Sequence, residues 1–179
     1  MSWEIEIKAR LQAPQRLIDE LNTSGQKGKS FHKLDVYFRG TTPLRLRYQE
    51  GVVWATSKQK TIKDGAEINR ELEFSVGDEK AFLGWIKDLG FVEIYRKSKS
   101  GWSWNRKGLT VEIAEVPPLG WYVEVEKVLP DTASRGDQDQ AHSEVLKILE
   151  EFHVPPSDIE PKTWSQLLGF SSLVPPKEV

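Results

Sequence analysis

The stretch Trp3–Leu11 reads WEIEIKARL and alternates without a break. Trp3, Ile5, Ile7 and Ala9 fall on one face of an extended strand, Glu4, Glu6, Lys8 and Arg10 on the other. Taken alone, such a charged face ordinarily meets water. The same device recurs along the chain, however, with one sign per strand. Arg45 and Arg47 flank Leu46 in LRLRY, Glu71 and Glu73 flank Leu72 in RELEF, and Lys58/Lys60, Lys97/Lys99 and Glu124/Glu126 repeat the spacing. Residues two apart point to the same side of a strand, roughly 7 Å from each other. A merely solvated sheet has no reason to sort its signs strand by strand.

Glu50-Gly51 reads as a two-residue hairpin loop between PLRLRYQ and VVWATSKQK, which places Arg45, Arg47 and Lys58 on one face. Like charges across a strand pair cost about as much as the 0.2–1 kcal/mol that opposite charges contribute. An anion between them removes that cost. The basic pairs therefore describe a cradle for a chain of phosphates, and the acidic pairs describe oxygen ligands for a hard divalent cation. Ile5, Ile7, Leu44, Leu46, Leu72, Phe74, Val111, Ile113, Val123 and Val125 are expected to carry the core against covering helices. The charged face then lines either open solvent or the bore of a closed barrel, and a bore concentrates charge better.

Nine short strand-like runs occupy the first two thirds of the 179 residues, which predicts a largely antiparallel sheet in an α+β protein. Helical patterns are expected at PQRLIDELN, with Pro14 at a first helical position, and at DEKAFLGWIKDLG, capped by Asp78 and ended by Gly90. Further helices are expected from about Gln138 to Phe152 and in KTWSQLLG; TASRGDQDQ reads as a polar loop. A single domain over residues 1–170 is expected, with a loose tail at 171–179. Without cysteine there are neither disulfides nor thiolate metal sites, so any metal is held by oxygen or histidine. No apolar run reaches a membrane span and the charged start lacks a signal-peptide h-region, so a cytoplasmic protein with no membrane association is expected. A net charge of −2 is not the footprint of a general nucleic-acid binder.

Taken in order, these segments resemble the CYTH family, also called triphosphate tunnel metalloenzymes. EIEIK is similar to its ExExK signature, LDVYF to its D-x-Y-F, LRLR to its arginine strand and TSK to its T-x-K. RELE is similar to its acidic strand, KSKSGW to its K-x-R strand and LGWYVEVE to its L-G-x-F-x-E-x-E. KTWSQLLG resembles the terminal segment of the class IV adenylyl cyclase-like branch. The likeness implies an antiparallel, eight-stranded closed β-barrel whose inward charges bind a triphosphate and one or two divalent metals, Mg²⁺ or Mn²⁺. It implies that Glu4, Glu6, Glu124 and Glu126 face metal while Lys8, Arg45, Arg47, Lys58 and Lys97 grip phosphate. Lys99 stands where many relatives have arginine and is expected to make a weaker phosphate contact without the bidentate fork. Ala114 stands where relatives often have Asp, and Glu112, two residues earlier on the same face, is the nearest acid that could substitute as a metal ligand. Glu71 and Glu73 join Glu4, Glu6 and Lys8 as the groups expected to act in catalysis.

Three functions follow from this reading: a metal-dependent triphosphatase, a class IV adenylyl cyclase making cyclic AMP and pyrophosphate, and a non-catalytic polyphosphate-binding module. The many acids argue against the last. Inorganic triphosphate, ATP and thiamine triphosphate are the candidate ligands, and the sequence leaves monomer or homodimer open. His32, His142 and His153 share no ligand spacing and receive no role. Trp102 and Trp104 read as strand packing rather than a base-stacking platform. Lys60 is balanced between phosphate contact and solvent, and Asp35 and Tyr37 between positioning a ligand and supporting their strand.

Overall fold

Ile5 and Ile7 are fully buried against helices, whereas Glu4 and Glu6, which alternate with them, turn to the opposite side of the strand, into the centre of a closed barrel. In this computed structural model residues 1–23, 27–63 and 65–170 are described. Eight antiparallel strands are formed among them: β1 (Ser2–Leu11), β2 (Lys29–Arg39), β3 (Leu44–Gln49), β4 (Val52–Lys63), β5 (Ala66–Ser75), β6 (Val92–Arg106), β7 (Leu109–Val116) and β8 (Gly120–Pro130). Their order around the barrel is β1-β5-β4-β3-β2-β6-β7-β8, closing back on β1 through ten paired positions from Ser2↔Pro130 to Leu11↔Trp121.

The nine strand-like runs of the sequence become eight because FVEIYRKSK and GWSWNR form one strand, β6. Gly101, where the two runs meet, lies inside it, opposite Ala114. A Cβ there would sit 2.0 Å from the Ile113 carbonyl oxygen and 2.6 Å from the Ala114 Cα, so the glycine permits close approach of β6 and β7. The hairpin at Glu50-Gly51 forms as expected: Gln49 pairs with Val52, and both loop residues have positive φ, as a type I′ turn requires.

The outer face carries the hydrophobic core. Helix α1 (Pro14–Thr23) contributes Leu17, Ile18 and Leu21, and α3 (Arg135–Glu151) contributes Ala141, Val145, Ile148 and Leu149; both groups pack in one cluster with Ile5, Ile7, Val111, Ile113, Val123 and Val125. Helix α2 (Glu79–Asp88) lays Ile86 over Val36, Phe38, Leu46 and Ala55. Asp78 caps it through Ala81 N at 2.9 Å, and Gly90 beyond its end has φ 82°. Leu72 and Phe74 are the exceptions among the expected core residues, being 49% and 46% exposed. They lie on the outer face of β5 beyond Ala66 and Ile68, and neither belongs to these buried clusters. Helix α3 begins three residues before Gln138, inside the segment read as a polar loop. Ser134 and Asp137 close a capping box there, each accepting from the other's backbone N–H. A short α4 (Trp164–Leu167) forms in KTWSQLLG behind a second capping box, Thr163 with Gln166. The expected loose tail lies outside the described residues.

Candidate active site in the barrel bore

Because side chains alternate, every charged pair singled out by spacing except Glu71/Glu73 lines the inside, where much of the bore is a cavity of about 460 Å³. That volume lies in the ordinary range of about 300–1,000 Å³ for small-molecule sites. Its lining brings together Glu4, Glu6, Glu124 and Glu126 with Arg45, Arg47, Lys58, Lys97 and Lys99.

Glu4, Glu6 and Glu126 each offer a carboxylate oxygen within 4.8 Å of the other two. They come from adjacent strands, Glu6 lying opposite Glu126 in the β1–β8 ladder. Burial and then the charges of Glu4, Glu112 and Glu6 push the Glu126 carboxyl up to about 8. Burial also disfavours charge on Glu6, but Lys58, Lys8, Lys99 and Lys60 outweigh it and hold the group down to about 2. Lys58 likewise outweighs burial at Glu4 and lowers it. Three crowded carboxylates whose repulsion a cation would relieve, with oxygen as their only donor, fit a hard divalent ion.

The basic side chains do not simply face one another. Arg47 donates twice to buried Asp35, from Nε at 2.7 Å and Nη2 at 3.0 Å, and Lys97 reaches the same carboxylate at 3.1 Å. Burial disfavours the charge on Asp35, but Lys97 and then Arg47 hold its carboxyl well below the usual range. Arg45 donates to the Thr56 hydroxyl at 3.0 Å and lies 3.5 Å from Glu73. Lys58 contacts Glu4 at 2.8 Å and also Glu71. Lys99 contacts Glu112 at 2.7 Å and also Glu124. The unrelieved repulsion expected among Arg45, Arg47 and Lys58 is therefore met by internal acids. Arg45 Nε is nonetheless buried without a protein partner. Burial brings the Lys99 ammonium down to about 8, with Glu112 opposing and Lys33 and Lys97 reinforcing the shift. Glu71 is raised to about 7, by burial and the adjacent Glu4 against the pull of Lys58.

Lys97 and Lys99 both point inward, at 3% and 4% exposure, opposite Asp35 and Lys33. Lys8 is buried on Glu67 at 2.6 Å, and Lys60 joins the same carboxylate. Glu112 is inward but lies between Lys33, at 2.5 Å, and Lys99, outside the Glu4-Glu6-Glu126 group. Glu124 contacts Lys99 and accepts from Trp164 Nε1 at 3.2 Å. Glu73 is at the margin, 41% of its side chain exposed. Asp35 proves to be the buried partner of two site cations.

Lys33, Glu67, Asn69 and Trp164 were not singled out by the sequence reading. The first three share the parity of Asp35 and Glu71 and were open to the same two-residue rule. Trp164 was not: α4 carries it to the bore, where its ring lies 4.9 Å from Lys97 Nζ and 5.5 Å from Lys8 Nζ. Nearby, Tyr37, Tyr95 and Phe170 stack with centroids 4.4 and 4.6 Å apart, all three touching the cavity. Trp102 and Trp104 lie on the outer face, Trp102 stacked on Trp121 and Trp104 in the core, so they are packing residues. His32 meets Ser100 Oγ at 2.8 Å in an exposed position.

No protein-family model matches the chain. Over 176 residues it is 26% identical to a candidate adenylate cyclase of Methanocaldococcus jannaschii, covering 93% of this chain and 98% of that one. A conserved hypothetical protein of Pyrococcus furiosus shares the fold at TM-score 0.77 and 25% identity, over 92% of this chain and 99% of the other. A Hippeastrum protein described as a candidate adenylyl cyclase with a dominant triphosphatase activity has the same fold at TM-score 0.59 and 15% identity, over 95% of each chain. The likeness to the CYTH, or triphosphate tunnel, family carried by the motifs is thus borne out in the closed eight-stranded barrel and its charged bore, and in the similarity to the Methanocaldococcus protein.

Proposed function

We propose that the protein is a divalent-metal-dependent phosphohydrolase of a triphosphate, with Mg²⁺ or Mn²⁺ held by Glu4, Glu6 and Glu126. The observation that carries this reading is the three carboxylates within 4.8 Å of one another in the same cavity as a wall of lysine and arginine. A bound cation neutralises charge on the phosphate oxygens there. Arg45, Arg47, Lys58, Lys97 and Lys99 bind the triphosphate, each exchanging part of its contact with an internal acid for a phosphate oxygen. Arg45 Nε, without a protein partner, is the donor most free to do so. Lys8, committed to Glu67, orients that wall and lies near Trp164.

In hydrolysis a water oxygen bonds to the terminal phosphorus as the bond to the bridging oxygen breaks, and the water's proton passes to a carboxylate. Glu71, buried on the inner face of β5 against Lys58 and pushed up to about 7 by burial, is the base we assign. Glu73 steadies Arg45 and Thr56 at the margin. In this reading Glu112 and Glu124 hold Lys33 and Lys99 in place.

A second reading is cyclisation, in which a ribose 3′-hydroxyl attacks the α-phosphorus and pyrophosphate leaves. It is favoured by the name of the Methanocaldococcus relative and by the Tyr37-Tyr95-Phe170 rings, which offer an apolar face to a base. The purified protein with Mg²⁺ or Mn²⁺ is given tripolyphosphate, ATP or thiamine triphosphate and the products are identified. Orthophosphate supports hydrolysis, cyclic AMP supports the cyclase, and tight binding without turnover leaves a polyphosphate-binding module.

A further inference from the structure

We propose that Asn69, through Oδ1, is a fourth protein ligand of the cation held by Glu4, Glu6 and Glu126; the inference rests on the metal-centre reading above. Strand β5 places Asn69 directly opposite Glu4, one inward step from the Glu6↔Glu67 pair, so it stands on the inner face beside the carboxylate group. Its side chain is fully buried, and Nδ2 donates to Glu4 Oε1 at 3.2 Å. Oδ1, bonded to the same carbon as Nδ2, is buried and has no hydrogen-bond partner.

A buried amide oxygen without a donor is uncommon and calls for a physical cause. Lys58 and Lys60, the nearby ammonium groups of β4, are engaged elsewhere: Lys58 contacts Glu4 and Glu71, and Lys60, directly opposite Asn69, contacts Glu67. What the oxygen lacks is a positive partner. Hard divalent cations take neutral carbonyl oxygens alongside carboxylates. In the orientation described Nδ2 faces Glu4; a half-turn about the terminal torsion, which is broad and two-fold, gives up that hydrogen bond when Glu4 turns to metal and puts Oδ1 in the place of Nδ2 beside the shared cation. An amide at this place adds a ligand without adding another negative charge beside Glu4 and Glu71.

The test is Mn²⁺ binding, followed by the free-ion electron paramagnetic resonance signal, on the full chain and on Asn69→Ala and Asn69→Asp. Asn69→Ala removes the ligand and should weaken Mn²⁺ binding about tenfold or more, the scale of losses seen around metal sites. Asn69→Asp keeps the oxygen and gains charge, so it should bind Mn²⁺ as tightly as the parent or more tightly. Were Asn69 only a donor that steadies Glu4, the Asp variant, which cannot donate and repels Glu4, would bind more weakly; that result overturns the assignment. Unchanged affinity in both variants overturns it as well. Should the alanine variant fail to fold, the Asp variant decides alone. Absence of Mn²⁺ binding by the parent protein at millimolar concentration removes the metal-centre reading, and this inference with it, whereas failure in the variants alone removes only the Asn69 assignment.

Discussion

Asp35→Asn is the substitution that separates the electrostatic role of the bore from its shape. The parent carboxylate is fully buried and makes three cationic contacts, two hydrogen bonds accepted from Arg47 and an ion pair with Lys97. Asparagine keeps the outline but offers one acceptor oxygen and turns an NH₂ toward donors, so about two of the three contacts are lost. At about 1.5–3 kcal/mol each, this agrees with the 3–5 kcal/mol typical of breaking a buried pair. Arg47, with 19% of its side chain exposed, can regain some water, which places the expected loss near the lower end, at about 3 kcal/mol. For a chain of this size that is a fall of roughly 6–12 °C in melting temperature. The Asp35 carboxyl is depressed in the folded protein, so its stabilisation is complete above the ordinary aspartate value of about 3.9 and is lost as pH falls through the folded value. The gap between parent and variant should therefore be full at pH 7 and close under strong acid. Tripolyphosphate should raise the melting temperature of the variant more than that of the parent, because it binds the folded bore and supplies a partner to the freed Arg47 and Lys97. Thermal denaturation at several pH values measures all three effects. A variant within about 1 kcal/mol of the parent at pH 7 would refute the view that Asp35 holds the cationic wall together.

Glu4→Gln and Glu6→Gln should each remove most turnover and weaken Mn²⁺ binding while leaving the fold intact, since glutamine keeps the shape and loses the charge; near-normal activity at limiting metal would sink the metal assignment. Lys97→Ala and Lys99→Ala, compared on the preferred substrate, should each lower kcat/KM by roughly tenfold or more, the loss of a charge-assisted hydrogen bond of about 1.5–3 kcal/mol. Loss in Lys97→Ala alone would remove Lys99 from the phosphate wall. Gly101→Ala should destabilise by about 1–3 kcal/mol, because the new methyl meets the backbone of β7 rather than a movable side chain; an unchanged melting temperature would show slack in the β6–β7 ladder.

The period-two pattern made most of the bore legible, since one rule assigns Glu4, Arg45, Lys58, Lys97 and Glu124 to one surface and Ile5, Leu46 and Val125 to the other. Lys33, Glu67 and Asn69 obey the same parity, but each is masked by more conspicuous charged neighbours on its own strand. Which acid meets which base was not legible, because partners such as Asp35 with Arg47 and Lys97 depend on strand order and register across β2, β3 and β6. The start of α3 was hidden by composition: TASRGDQDQ has the polarity of a loop, and only the Ser134–Asp137 capping box marks a helix. Leu72 and Phe74 show that alternation tells which face is outer but not whether a helix covers it. Trp164 is brought to the bore by a turn of helix almost at the end of the described chain, which no local pattern near β1 or β6 announces.

The division between faces explains how a barrel can keep so many charges inside. Apolar burial is concentrated outside the strands, where α1 and α3 share a cluster with Ile5, Ile7, Val111, Ile113, Val123 and Val125, and α2 covers Leu46 and Ala55. The interior is not close-packed hydrocarbon but a cavity, and its charges are held by one another. Each inner cation contacts an acid, so the bore is close to neutral without ligand, and a purely basic bore of this size would repel itself. In the proposed reading such pairing has a cost for binding, because phosphate must compete with Asp35, Glu4, Glu71 and Glu112 for the same donors. A divalent cation would lower that cost where a metal carboxylate is also a lysine's partner. Lys58 is that case: it contacts Glu4 and Glu71, and a metal on Glu4 would free the lysine toward phosphate. Triphosphate and metal should therefore bind with positive coupling, each tightening the other, and titrating tripolyphosphate with and without Mn²⁺ measures it. Equal affinity in the two titrations would mean that the carboxylates and the cationic wall act independently.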